Sequence, residues 1–254
     1  MHDSNIIERS DMSGHSKWAT TKHHKAIIDA KRGKIFTKYA KLITIAARDG
    51  KSGDPSFNPS LRVAIENAKS VSMPKDNIER AIKKGIGGGS AAAIEEVNYE
   101  AYAPGGTALL IECLTDNKNR TLGEIKAILN KNGGVLANAG SVSYLFKKLG
   151  QIVVDETKNE LKGDDLEIVI IDSGADDFEK DDSIYTIICE FSTLHQTRTN
   201  LEKAGVVVDS TEVIQRASTF VEQSEEKAES IMTLIAKLEE LDDVSSVYCN
   251  LDLS

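Results

Sequence analysis

A glycine-rich run, Gly85-Ile-Gly-Gly-Gly-Ser90, divides this chain of 254 residues into two parts of opposite charge. Residues 12–89 carry 16 Lys and Arg against 6 Asp and Glu, whereas residues 90–254 carry 14 against 31. No predicted strand precedes the run and no Gly-Lys-Ser or Gly-Lys-Thr ends it, so it is not a P-loop. We therefore interpret it as a flexible linker between a basic domain and an acidic remainder.

The basic charge is concentrated in residues 13–51, where ten Lys and Arg accompany only two acids. In the second half of this stretch, apolar residues recur at helical spacing at Ile28, Ile35, Tyr39, Leu42 and Ala46. Lysines recur on the opposite face at Lys31, Lys34, Lys38 and Lys41. The pattern predicts a helix that buries one face, presents ammonium groups to solvent or phosphate on the other, and ends near Asp49-Gly50.

The first half of the stretch, residues 13–25, has no clean period and is typical of an extended basic arm. It holds the only tryptophan of the chain, Trp18, for which stacking on a base and packing into the helical core both stay open. Adjacent histidines, His23 and His24, lie among its lysines. In that setting we favour solvated or phosphate-contacting imidazoles over a metal site.

A dense basic segment on an acidic chain is typical of binding to a polyanion, most often nucleic acid. The lysines would contact phosphates, and Arg32 is placed to reach a base edge. A second, local basic spot follows in the loop 115–120, where helix capping is the structural alternative. The predicted nucleic-acid-binding residues are Lys17, Trp18, Lys22, His23, Lys25, Lys31, Arg32, Lys34, Lys38, Lys41, Lys118 and Arg120.

Three helices with short connections are predicted from Lys25 to Gly85, as a small bundle. Asn58-Pro59 has the pattern of an N-cap followed by the first helical residue. The inner face of that second helix is predicted at Leu61, Ala64, Ile65 and Ala68.

Beyond the linker, short strands and helices alternate with hairpins, which favours α+β domains of ferredoxin-like size. The predicted elements include strands over 98–103 and 107–114, a helix over 121–130 with Asn119 as its cap, and a short strand pair over 141–146 and 151–154.

No catalytic motif stands out, and the three cysteines, Cys113, Cys189 and Cys249, have no metal-ligand spacing. The acidic residues between Asp164 and Asp182 lack an EF-hand pattern, so we interpret them as a solvated face. No apolar run has the length of a membrane span, and the N-terminus lacks a signal-peptide core. We expect a cytoplasmic protein that is not an enzyme and has no cofactor, metal, membrane partner or small-molecule substrate.

Five segments of the chain resemble the YebC/PmpR family: GHSKWATTKHHKAIIDAKRGKIFTKYAKLI, MPKDNIERAIKKG, YEAYAPGG, LTDNKNRT and GSVSYLFKKLG. The resemblance implies a helical N-terminal domain and two α+β domains, one inserted into the other. The expected divisions are a disordered extension over 1–11, a helical domain over 12–89, a middle domain over 90–134 plus 211–254, and an inserted domain over 135–210.

Members of that family are described as DNA-binding transcriptional regulators, and others as translational activators that act on the ribosome. The resemblance therefore implies a DNA-binding transcriptional regulator, and the alternative is a ribosome-associated translation factor that binds ribosomal RNA with the same surface. Lysine outnumbers arginine by eight to two in residues 13–51. Because lysine is a point charge that suits backbone phosphate, both partners stay open.

Overall fold

The structure is a computed structural model that describes residues 32–87 and 94–252. The predicted arm over 13–25, the extension over 1–11 and half of the glycine-rich run, residues 88–90, lie outside these residues. The N-terminal part of the described chain is helical, with α1 (Arg32–Asp49), α2 (Pro59–Ser70) and α3 (Lys75–Ile86). In the described ranges, no helix combines the length and the apolar character needed to cross a membrane.

The start of α2 is fixed by its predicted cap. The side-chain oxygen of Asn58 accepts a hydrogen bond from the backbone N–H of Leu61 at 3.1 Å, and Pro59 takes the first helical position. The predicted inner face of α2 is confirmed, since its buried residues are Leu61, Ala64, Ile65 and Ala68. Together with buried residues of α1 and α3, such as Ile43 and Ile78, they form the core of the helical domain.

The first sheet is antiparallel, and two helices cover one of its faces. Its elements are β1 (Glu95–Tyr102), β2 (Ala108–Thr115), α4 (Lys118–Lys131), β3 (Val135–Leu136), α7 (Glu225–Glu239) and β9 (Val244–Cys249). The strand order is β3-β1-β2-β9. Buried residues of the strands, such as Leu109 and Ile111, pack against Ile125 of α4 and Leu234 of α7.

The second sheet is also antiparallel. Its elements are β4 (Phe146–Asp155), α5 (Gly163–Asp172), β5 (Asp177–Asp181), β6 (Ile184–Glu190), α6 (Leu194–Lys203) and β7 (Ser210–Ala217). The strand order is β5-β6-β4-β7, and the chain order, β-α-β-β-α-β, is that of a ferredoxin-like domain. Ile152 and Ile187 of the sheet pack against Leu166 of α5 and Leu201 of α6.

A short parallel pair of strands ties the end of the chain to the segment before α7. It consists of β8 (Val221–Glu222) and β10 (Leu251–Asp252).

The predicted fold class, α+β with N-terminal helices, is confirmed. Two details differ from expectation. Residues 211–217 belong to the second sheet, because β7 pairs with β4 from Ser210 to Ala217, so the sheet boundary falls later than the predicted one at 210/211. The strand pair predicted over 141–146 and 151–154 is wrong, because residues 146–155 form the single strand β4, which pairs with both β6 and β7.

A buried carboxylate holds the loop that leads from the first sheet into the second. Glu100 of β1 accepts hydrogen bonds from the backbone N–H groups of Gly140 at 2.7 Å, Val142 at 2.5 Å and Ser143 at 2.9 Å. Burial raises the pKa of Glu100, but these three bonds outweigh burial, and the pKa lies below its ordinary value. Two segments far apart in sequence, YEAY and GSVSY, are thereby joined.

The helical domain contacts both sheets. Ile45 of α1 packs with Ile94 and with Leu114 of β2 in a small apolar cluster beside the first sheet. On the other side, Asn67 of α2 donates a hydrogen bond to the carbonyl oxygen of Thr211 at 2.8 Å. The helix α1 packs against α2 and α3 in the helical core and, through Ile45, against the first sheet.

Candidate nucleic-acid interface

The structure describes the side chains of five of the twelve predicted nucleic-acid-binding residues, namely Lys34, Lys38, Lys41, Lys118 and Arg120. The backbone of Arg32 begins α1, but its side chain is not described. The remaining six lie outside the described residues and are Lys17, Trp18, Lys22, His23, Lys25 and Lys31.

The ammonium group of Lys41 lies in the junction between α1 and the first sheet. It donates hydrogen bonds to the carbonyl oxygens of Leu114 and Asp242, both at 2.9 Å, and to Oδ1 of Asp243 at 2.8 Å. The prediction that Lys41 faces solvent or phosphate is therefore wrong. The physical reason is that the lysine face of α1 packs on a second domain, which the sequence of the helix alone does not indicate.

Asp243 accepts hydrogen bonds from several side chains at that junction. Its Oδ2 atom accepts hydrogen bonds from Arg120 at 2.6 Å and from the hydroxyl groups of Thr115 at 3.0 Å and Thr121 at 2.8 Å. Burial raises the pKa of this carboxyl group, but the bonds from Arg120, Lys41 and Thr121 outweigh burial and hold the pKa well below its usual range. We call Asp243, Lys41, Arg120, Thr115 and Thr121 the Asp243 cluster.

The loop 115–120 caps a helix, which is the structural alternative to a nucleic-acid contact. Asn117, not the predicted Asn119, caps α4, and its side-chain oxygen accepts a bond from the N–H of Arg120 at 3.1 Å. The hydroxyl oxygen of Thr115 accepts from the N–H of Asn117 at 2.9 Å, which sets the cap at that residue. Lys118 pairs with Glu95 at 2.6 Å. Both cations of the loop are thus engaged within the protein.

The other described lysines of α1 also lie on its packed side. Lys38 is half-buried and donates to the hydroxyl oxygen of Ser246 on β9 at 3.3 Å. Lys34 is half-buried as well. On the lysine face of α1, Lys34 and Lys38 are therefore half-buried, and the ammonium group of Lys41 is fully hydrogen-bonded.

A different helix carries a cluster of exposed cations in the helical domain. Arg80, Lys83 and Lys84 of α3 are exposed and lie at spacings of three and four residues, which places them on one face. Ile78 and Ala81 bury the opposite face of the same helix. We call Arg80, Lys83 and Lys84 the α3 basic face.

The α3 basic face leaves most of its charge exposed to solvent. Arg80 donates to the carbonyl oxygen of Asp76 at 3.3 Å and to the side chain of Asn77. Lys83 and Lys84 form no ion pair with any other described residue. Positive charge at Lys83-Lys84 also suits the C-terminus of a helix. The spacing of this pair from Arg80 is the sequence signal that identifies the face.

The electrostatic setting favours this face as an anion-binding surface. Residues 32–87 carry 12 Lys and Arg against 5 Asp and Glu, a formal charge of +7. Residues 94–252 carry 14 against 31, a formal charge of −17. A polyanion is therefore attracted to the helical domain and repelled by the sheets, which restricts how it can approach.

Comparison with known families covers nearly the whole chain. Residues 16–88 match the family described as "TACO1/YebC protein N-terminal domain". Residues 94–251 match the family described as "TACO1/YebC second and third domain".

Individual relatives agree with this assignment. A protein of Chloroflexus aggregans is 48% identical over 243 residues, which are 96% of each chain, and one of Thermobifida fusca is 49% identical over 95% of this chain and 96% of its own. Both carry the name "Probable transcriptional regulatory protein". The crystal structure of a conserved hypothetical protein from Aquifex aeolicus superimposes with a TM-score of 0.86 at 42% identity, over 94% of this chain and 98% of that one.

Proposed function

Because this chain belongs to the TACO1/YebC family, we propose that it is a DNA-binding transcriptional regulator that acts in the cytoplasm through its basic helical domain. The observation that carries the proposal is the α3 basic face, three exposed cations on a domain of formal charge +7. The names of the relatives support a regulatory role. The role is one of binding, and no catalytic step is part of it.

The binding would be made mainly to the phosphate backbone. Lys83 and Lys84 are point charges, which suit phosphate oxygens, whereas the guanidinium of Arg80 is able to bind a phosphate or a guanine in two-point fashion. The basic residues Lys17, Lys22, Lys25 and Lys31 are proposed to contact the same nucleic acid. Lys41 and Arg120 are excluded from the proposed DNA-binding surface, because both form ion pairs with Asp243.

The experiment that tests this function is crosslinking of the protein to nucleic acid in growing cells, followed by sequencing of the bound fragments. Sucrose-gradient sedimentation of the same lysates shows whether the protein travels with ribosomes. A variant with Arg80, Lys83 and Lys84 all replaced by Gln, the α3 variant, serves as the control for binding through this face.

We expect crosslinks at promoter DNA that are strongly reduced in the α3 variant, with the protein near the top of the gradient. Crosslinks to ribosomal RNA, with the protein in ribosome fractions, would contradict a role in transcription and make it a translation factor. Crosslinks that the α3 variant retains in full would show that another surface binds.

A further inference from the structure

The most exposed large apolar side chain in the described part of the chain lies on the basic domain. It is Phe57, which is 82% exposed and belongs to the loop 50–58 between α1 and α2. The helical domain that carries this loop has a formal charge of +7 over residues 32–87. A polyanion is therefore attracted to the part of the surface where the phenyl ring is exposed.

Hydrogen bonds on both sides of Phe57 hold the backbone of this loop. The side chain of Asn58, which is buried, donates to the carbonyl oxygens of Ala46 at 2.8 Å and Ser52 at 3.2 Å. The N–H of Phe57 donates to the carbonyl oxygen of Asp54 at 3.1 Å and closes a turn. The ring is therefore presented on an ordered backbone, so a ligand that binds it does not have to order the loop first.

The same loop contacts α3 next to the α3 basic face. Gly53 packs so closely on this helix that a Cβ atom there would lie 3.0 Å from Cγ2 of Ile82 and 3.3 Å from Cδ1 of Ile86. Lys83 follows Ile82 directly and lies one helical turn before Ile86. The loop therefore borders the surface that is proposed to bind DNA.

Two exposed cations accompany the ring. Arg62 of α2 donates to the carbonyl oxygens of Pro55 at 3.1 Å and Ser56 at 3.3 Å, which places its guanidinium against the backbone just before the ring. These bonds use two of its five N–H donors, so three are left for a phosphate. Neither Arg62 nor Lys51 forms an ion pair with another described residue. The carboxylate of Asp54, the only acid of the loop, accepts from the N–H of Ser56 at 2.8 Å.

We propose that Phe57 inserts as an apolar wedge between two base pairs of duplex DNA bound to the α3 basic face, and that it bends the DNA there. The inference rests on the proposed function, because it takes duplex DNA as the ligand. Stacked bases cover one another, so an exposed ring reaches their faces only by opening a base step. Contacts of Lys51 and Arg62 with the phosphates beside that step offset part of the cost of unstacking.

A wedge selects DNA sites without contacts to base edges. Pyrimidine–purine steps such as TA unstack easily, whereas A-tracts are stiff. The lysines of the α3 basic face contact phosphates, which are the same in every sequence. The class of site proposed for this protein is therefore a duplex with a flexible step where Phe57 enters.

The test uses the full chain and two duplexes of about 20 base pairs, one with a central TA step and one with a central A-tract. A dye at each end reports the bend by energy transfer, and anisotropy reports the affinity. We expect wild type to bend the TA duplex and to bind it about 5-fold or more tightly than the A-tract duplex.

Substitutions at Phe57 separate a wedge from other roles of the ring. Phe57→Ala should lose the bend and reduce the preference for the TA duplex to within about 2-fold. Phe57→Leu should keep both, because aliphatic side chains also act as wedges. Tyr144→Ala is the matched control, because it removes a ring that is 74% exposed from the acidic part of the chain.

The outcomes separate the wedge from the proposed function. If wild type binds neither duplex, both fail. If the α3 variant loses duplex affinity while Phe57→Ala bends the TA duplex as much as Tyr144→Ala does, only the wedge is refuted. Binding by wild type without a bend refutes it as well. Loss of the bend in Phe57→Leu would show that an aromatic ring is required, and it would refute the wedge in favour of stacking on an unpaired base.

Discussion

The substitution Asp243→Asn tests how the helical domain is held against the first sheet. Asparagine keeps the shape of the side chain but removes the charge, and its amide group cannot accept the bonds that the second carboxylate oxygen accepts now. The substitution therefore removes two ion pairs, with Lys41 at 2.8 Å and with Arg120 at 2.6 Å.

The size of the effect follows from the exposure of the two partners. The side chain of Lys41 is 17% exposed, so removing its charged hydrogen bond costs about 1.5–3 kcal/mol. Lys41 keeps the carbonyl oxygens of Leu114 and Asp242, which limits the cost below the full penalty of an unpaired buried charge. Arg120 is 46% exposed and keeps its ion pair with Asp116, so the loss of its bond to Asp243 contributes little. The expected destabilisation is therefore about 1.5–3 kcal/mol, set mainly by Lys41.

Urea denaturation followed by circular dichroism measures this difference, and Asp242→Asn is the matched control. Asp242 is exposed and contributes only its backbone carbonyl to Lys41, so the same charge change there should cost less than about 0.5 kcal/mol. Because the folded-state pKa of Asp243 lies below its unfolded value near 3.9, its stabilisation is complete above that pH. The difference between wild type and Asp243→Asn should stay constant from pH 7 to about pH 5 and shrink as the pH falls below about 4.

Two results would refute this reasoning. The first is an Asp243→Asn protein that unfolds at the same urea concentration as Asp242→Asn, since the Asp243 cluster would then contribute nothing. The second is a stability difference that grows on acidification, because a carboxylate with a lowered pKa must lose its contribution as it is protonated.

Three further predictions concern the first sheet. Glu100→Gln should destabilise the protein by about 1–3 kcal/mol and speed hydrogen exchange of the amides in residues 140–143. Because the pKa of Glu100 is lowered, the stability difference between wild type and this variant should fade below about pH 4. Unchanged exchange would contradict the prediction. Leu109→Ala should cost about 2–5 kcal/mol in urea denaturation, because Leu109 is fully buried in the core; a cost below about 1 kcal/mol would show that the core collapses around the gap. Burial raises the pKa of Cys113 to about 12, so a thiol reagent at pH 8 should label it only after unfolding, and rapid labelling of the native protein is the contrary result.

Local features of this fold were predictable from the sequence because local forces decide them. The cap at Asn58, the proline after it and the buried stripe of α2 need only neighbouring residues, and the structure reproduces all three. The cap of α4 was harder to predict, since the loop offers both Asn117 and Asn119. The hydroxyl of Thr115 sets the cap at Asn117, and that hydrogen bond depends on the position of the end of β2.

Interactions between residues far apart in the sequence decide where Lys41 lies and which sheet residues 211–217 join. The carboxylate partner of Lys41 lies 202 residues further along the chain, and helical periodicity describes only the helix itself. An alternating strand pattern likewise does not say which sheet receives β7. The α3 basic face was visible in the sequence, but packing had to show which cationic face of the helical domain stays exposed.

The most direct test of the central claim is the salt dependence of duplex binding by the α3 variant and a charge-matched control. The control replaces three exposed lysines of the acidic part, Lys126, Lys131 and Lys203, with Gln. If the α3 basic face binds phosphates, the α3 variant should bind more weakly, and its slope of log affinity against log salt should be shallower by up to about 0.9 for each phosphate that the variant no longer neutralises. The control should keep the wild-type slope. Equal affinities and slopes for the two variants would contradict binding through the α3 basic face.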